Sequence, residues 1–100
     1  MADFIEDGAV CRVSGRLSQT EVLQLWSERS TLLSKGVQVI DLSALSYSDS
    51  AGVAFLLELV SLARADNRKL VLSSPSTQLL KLIGLYDLEL FFREEAEQGR

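Results

Sequence analysis

Histidine is absent from this 100-residue chain, and with it the side chain that most often serves as a general acid or base near neutral pH. Cys11 is the single cysteine, so an intramolecular disulfide and a multi-cysteine metal site are excluded, and a reducing compartment is expected. Asp41 and Asp49 have no evident metal-ligand companions, and neither a Gly-rich phosphate loop nor a Walker sequence occurs. No catalytic ensemble, metal site or cofactor site follows from these residues. Any nucleotide must be hydrolysed by a partner.

Two further absences narrow the partners. The ten Lys and Arg are scattered from Arg12 to Arg100 and the net charge is -4, so there is no basic stripe to neutralise phosphates, and nucleic acid is not expected. The strongest apolar run, residues 51–63, carries Glu58 and is shorter than the roughly 20 residues that span a bilayer. Residues 1–7 lack a basic region followed by a long apolar stretch. A cytoplasmic protein is expected, without direct membrane insertion but able to sit on a membrane complex.

What is present is the material of one globular domain. Hydrophobic residues make up 47% and charged residues 24%, which excludes a disordered or low-complexity chain, and the length suits a single core. Asp7-Gly8 between two apolar runs predicts a hairpin. Ser18 and Glu21 fit a capping box opening a first helix, along which Val22, Leu25, Trp26, Arg29, Leu32 and Leu33 recur at helical spacing. Gly36 is placed to end that helix in the left-handed conformation, and Trp26 is read as core.

Residues 37–42 are β-branched and apolar, the pattern of a buried parallel strand at the sheet centre. The Ser-rich stretch 43–50 reads as a loop, and a second helix is expected over 51–65, yielding near Asp66 and Asn67. Residues 69–73 form the next strand. Ser74-Pro75 then supplies an N-cap with proline at the first helical position, and Leu79, Leu80, Leu82 and Ile83 form a third helix before Gly84. Residues 88–92 predict a last short strand. The resulting expectation is an α/β domain over 1–93, with mixed sheet and order β-β-α-β-α-β-α-β, followed by a charged tail at 94–100.

The run Asp41-Leu-Ser-x-Leu-x-x-x-Asp49-Ser50-Ala51-Gly52-Val53 resembles the signature of the STAS domain, found in anti-sigma factor antagonists and sulfate transporters. Val13-Ser-Gly15-Arg-Leu17 and Leu82-Ile-Gly84-Leu85 fall where that family has similar residues, so the resemblance covers nearly the whole chain and implies the STAS fold. Within the family, Leu23-Gln-Leu25-Trp26-x-x-Arg29 and the apolar Val53-Ala-Phe-Leu-Leu-Glu-Leu-Val60 look most like the STAS subunit of the bacterial phospholipid ABC transporter that maintains outer-membrane lipid asymmetry. That subfamily often carries Asp-Thr-Gly-Gly where this chain has Asp49-Ser50-Ala51-Gly52. The serine is more like the sigma-factor regulators.

The resemblance implies a non-enzymatic subunit that binds the ATPase of the transporter, with its permease, and supports assembly or activity at the inner membrane. The alternative it implies is an anti-sigma factor antagonist, whose partner kinase phosphorylates the residue matching Ser50. A third reading takes an anion at the helix N-terminus.

Physically, a hydroxyl at the first turn of the second helix sits where free amides and the positive dipole end converge. Ser50 is a cap, a hydrogen-bonding handle or a phosphoacceptor. Asp49 caps backbone amides, orients Ser50, or makes a simple Asx-turn. At about 100° per residue, with Ala51 at zero, Leu56, Leu59, Val60 and Ala63 fall near 80° to 180°, Phe55 and Leu62 near 20° to 40°, and Leu57 near 240°. That arc is wider than one sheet face covers. Phe55, Leu57 and Leu62 either pack under the flanking helices or meet a partner, and contact is expected for at least one. With Asp49, Ser50, Ala51 and Gly52 they outline a candidate partner-binding surface.

Overall fold

The computed structural model describes residues 2–86, with side chains through residue 82. Strands β1 (Ala2–Asp7) and β2 (Val10–Leu17) form the expected hairpin around Gly8, whose φ of 63° is the left-handed value its turn requires. Helix α1 (Gln19–Leu25) follows, then β3 (Val39–Asp41), β4 (Leu45–Ser48), α2 (Ser50–Ala65), β5 (Val71–Ser73) and α3 (Thr77–Tyr86). The sheet is mixed: β1 is antiparallel to β2, while β3 and β4 run parallel to β2, and β5 runs parallel to β3.

The expected loop at 43–50 contains a strand. Asp41 accepts the Ser43 N–H at 2.9 Å, and this Asx-turn ends β3. The Ser43 amide also holds the Asp41 carboxyl below its usual range, with Arg12 adding to the effect. The chain then rejoins β2 further along: β3 pairs with Val10 to Arg12, and β4 with Gly15 to Leu17. Two short strands in line therefore replace one long strand and a loop. A register shift between Gly15 and Arg16, with Gly15 at φ 86°, accommodates the break.

The first helix is much shorter than its apolar spacing predicts. A 3-10 turn occupies Trp26–Glu28, the Arg29 guanidinium bonds the Trp26 carbonyl at 2.8 Å, and Thr31 Oγ1 donates to the Glu28 carbonyl. These side-chain bonds consume carbonyls that a continuing helix needs. Gly36 does not adopt a positive φ and ends no helix. In α3 the cap lies two residues later than expected: Ser74 sits at φ 56°, outside a helical entry, and Ser76 Oγ accepts the Leu79 N–H at 3.1 Å. The helix also runs through Gly84 to Tyr86. The strand expected at 88–92 and the tail at 94–100 lie outside the described residues.

Helix α2 packs over the sheet between α1 and α3. Its Val53, Phe55, Leu56, Leu59, Val60 and Ala63 interleave with Cys11, Val13, Leu17, Ile40, Leu42, Leu45 and Leu72 in one core. Burial of the Val, Leu, Ile and Phe side chains among them contributes about 1.5–3 kcal/mol each. The alternation is clean on β2, where Cys11 and Val13 face the core and Val10 and Arg12 face away. Among the described residues no helix is long and apolar enough to cross a membrane.

The capping box at α1 forms as the spacing predicts. Glu21 Oε1 accepts the Ser18 hydroxyl at 2.6 Å and the Ser18 N–H at 2.9 Å. The hydroxyl first, then the amide, pull the Glu21 carboxyl down to about 2 from the ordinary 4.5. A carboxylate whose folded pKa is depressed stabilises the fold above its unfolded pKa and loses that contribution as pH falls through the folded value. Glu21→Gln is therefore expected to melt below the wild type at neutral pH and to converge with it between pH 4.5 and about 2. Thermal melts of both proteins across that window check this.

Candidate functional site at the head of helix two

Because β2 and β4 are parallel and each leads directly into a helix, α1 and α2 begin at the same end of the sheet. Asp49 stands between them. It is the N-cap of α2 in extended conformation, and its Oδ1 accepts the Gly52 N–H at 3.0 Å. Its Oδ2 accepts the Gln19 N–H, the first amide of α1, at 3.1 Å. One carboxylate thus satisfies a first-turn amide on each helix, whereas a single cap contributes about 1 kcal/mol. With the capping role taken by Asp49, Ser50 becomes the first residue of α2 and is exposed.

The backbone beneath this turn is fixed from two sides. Ser48 is fully buried and its Oγ donates to the Leu17 carbonyl at 2.9 Å. Its N–H donates to Gln78 Oε1 at 3.1 Å, and its carbonyl accepts from Gln78 Nε2. Gly52 is buried, and a Cβ there would collide with the Leu17 carbonyl oxygen and with Ser48 Oγ. A glycine at this position allows α2 to start in contact with the end of β2.

Phe55 does not belong to an exposed surface. It is fully buried, and Trp26, in the 3-10 turn after α1, covers it with ring centroids 6.2 Å apart. Trp26 takes the opposite role from the one expected: 43% of its surface is exposed, and the Arg29 guanidinium lies 4.3 Å from its ring centroid. Arg29 also pairs with Glu58 of α2 at 3.2 Å, tying the helices together. Leu23, on α1 three residues before Trp26, is 73% exposed. On α2, Ala54 and Ser61 are exposed, while Ala51, Leu57 and Leu62 are half-buried.

Leu57 and Leu62 lie on opposite flanks of α2, about 140° apart around its axis. Leu62 lines an open groove of about 410 Å³ with Leu33, Lys35, Asp66 and Arg68, at the far end of the helix from Ser50. The structure thus brings Asp49, Ser50, Ala51 and Gly52 together and separates Phe55 and Leu62 from them. Cys11, the one thiol, is buried in the core, and burial together with the Glu6 charge pushes it up to about 11. It is a neutral packing group rather than a nucleophile.

Residues 2–92 match the family described as "Mlab, STAS domain". The chain belongs to that family. The MlaB protein of Escherichia coli strain K12, named intermembrane phospholipid transport system binding protein, is 34% identical over 85 residues, 85% of this chain and 87% of the relative. The MlaB protein of Shigella flexneri matches to the same extent. Among solved structures, the anti-sigma factor antagonist SpoIIAA in its unphosphorylated form aligns with a TM-score of 0.59 at 22% identity, covering 85% of this chain and 83% of that one. The phosphorylated form of the Bacillus cell fate determinant SpoIIAA aligns with the same score and identity over 100% and 98%. At that identity the likeness concerns the STAS fold.

Sequence reasoning missed several residues in and around this site of the STAS domain. Ser48, Gln78 and Gln19 hold the α2 head through backbone bonds that no local pattern encodes. Leu80 of α3 and Tyr47 of β4 are also exposed, with the Arg16 guanidinium 4.6 Å from the Tyr47 ring centroid. The one available signal was Leu23, which falls off the Val22–Leu25 stripe of its helix.

Proposed function

We propose that this chain is a non-enzymatic subunit of a phospholipid-transporting ABC complex that maintains outer-membrane lipid asymmetry. It binds the cytoplasmic ATPase through the Ser50 end of α2, in an assembly that includes the permease, and supports the assembly or activity of that ATPase. The protein is then cytoplasmic and peripheral to the inner membrane through its complex. The observation that carries this reading is Ser50 itself: an exposed hydroxyl on a helix start held by Asp49, Ser48 and the close approach at Gly52.

The setting supports a protein partner. The Asp49 carboxylate already accepts one first-turn amide of α2 and places a negative charge there, which disfavours an added anion at that helix end. The exposed apolar side chains Leu23 and Trp26 stand on α1, which packs beside α2, and on the 3-10 turn that follows it. Exposed apolar and aromatic side chains and a fixed polar turn are both ordinary features of protein interfaces. The name of the Escherichia coli relative, a phospholipid transport system binding protein, supports the choice of system.

The test is a calorimetric titration of the purified chain with the ATPase subunit of the phospholipid transporter from the same cell, paired with affinity purification from native membranes. Saturable binding and co-purification of ATPase and permease are expected. No heat of binding together with no recovered ATPase would end this reading.

A further inference from the structure

Among the described residues, the outer edge of β4 is met by a helix. Gln78, on the first turns of α3, presents its side-chain amide to Ser48, accepting the N–H on Oε1 and donating from Nε2 to the carbonyl. A primary amide offers one acceptor and one donor side by side, which is the pair that a neighbouring strand would present to that residue. Ser48 immediately precedes Asp49, whose carboxylate caps α2 and bonds the first amide of α1.

We infer that Gln78 is a positioning residue for the Ser50 surface, holding the Ser48-Asp49-Ser50 turn in its docking geometry from α3. For partner binding this rests on the docking reading above. Ser48 is held toward β2 by its own hydroxyl, bonded to the Leu17 carbonyl, and by a strand of four residues. Without the Gln78 amide, the Ser48 N–H and carbonyl lose their partners at a part-buried site, and the turn carrying the cap gains freedom. Leu79, the next residue, is buried in the core and anchors α3, so the helix itself does not depend on Gln78. The amide is the link by which displacement of α3 alters how Ser50 is presented.

The experiment uses the full chain with Gln78→Met, which keeps length and helix propensity but removes both polar functions, and Gln78→Ala as a second variant. Backbone amide exchange is measured by NMR, and affinity is measured against the purified ATPase subunit alongside Ser50→Glu. In both Gln78 variants the Ser48 and Gly52 amides are expected to exchange about tenfold faster. The Val13 and Ile40 amides should keep their rates, and ATPase affinity should fall about tenfold. Unchanged exchange at Gly52 overturns the inference, because the turn then holds itself. Faster exchange with wild-type affinity also overturns it, provided Ser50→Glu abolishes binding. If Ser50→Glu binds normally too, the docking reading is what fails, and the exchange rates alone decide whether Gln78 positions the turn.

Discussion

Gly52→Ala is expected to destabilise the protein by about 2–3 kcal/mol, the upper part of the usual range for overpacking, and to lower the melting temperature by roughly 10–20 °C. The added methyl would meet two atoms at once, the Leu17 carbonyl oxygen and Ser48 Oγ. Neither can withdraw without loss: Leu17 ends β2 in the core, and its carbonyl is the acceptor of the Ser48 hydroxyl. Relief requires α2 to slide away from the sheet end, which also lengthens the bond from Gln19 of α1 to Asp49. Differential scanning calorimetry reads the effect directly. A melting temperature close to that of the wild type would mean that α2 does not seat against β2 as described. Gly36→Ala is the matched control, since nothing lies near its Cβ position.

Ser50→Glu is expected to do the reverse, leaving the fold intact and removing the partner. The side chain is exposed at the first position of α2, where a carboxylate interacts favourably with the helix dipole by about 0.3–1 kcal/mol, offset by its neighbour Asp49. The melting temperature should therefore stay near the wild-type value. In a docked complex, however, the new charge would be desolvated and unpaired, a cost of several kcal/mol, so ATPase affinity should fall by about a hundredfold or more. Calorimetric titration measures it. Wild-type affinity would remove Ser50 from the contact. Intact mass after incubation with cell extract and ATP separates the alternative reading, since an added phosphate on Ser50 would point to a kinase partner and to the anti-sigma factor antagonist class.

The difference between those two substitutions could not be read along the chain. Gly52 and Ser50 are two residues apart in one motif, and the motif marks both alike. Their roles diverge because β2 passes beneath one and solvent lies over the other. Trp26 and Phe55 make the same point in opposite directions. Helical spacing placed Trp26 inside and left Phe55 available to a partner, yet Phe55 fills the core and Trp26 lies over it.

Periodicity, turn chemistry and capping residues alone determined the hairpin at Gly8, the capping box of Ser18 and Glu21, the extent of α2 to within a residue, and the α/β class. All of these rest on interactions within a few residues, which composition and spacing encode. The STAS signature marked Asp49 to Gly52 as the place to look. Only the tertiary structure decided that β4 is a strand, that Asp49 joins two helix starts, that Gln78 grips Ser48, and which apolar side chains stay in water. These depend on elements about 30 residues apart meeting at one end of a parallel sheet, and a pairing at that distance leaves no periodic trace in either partner.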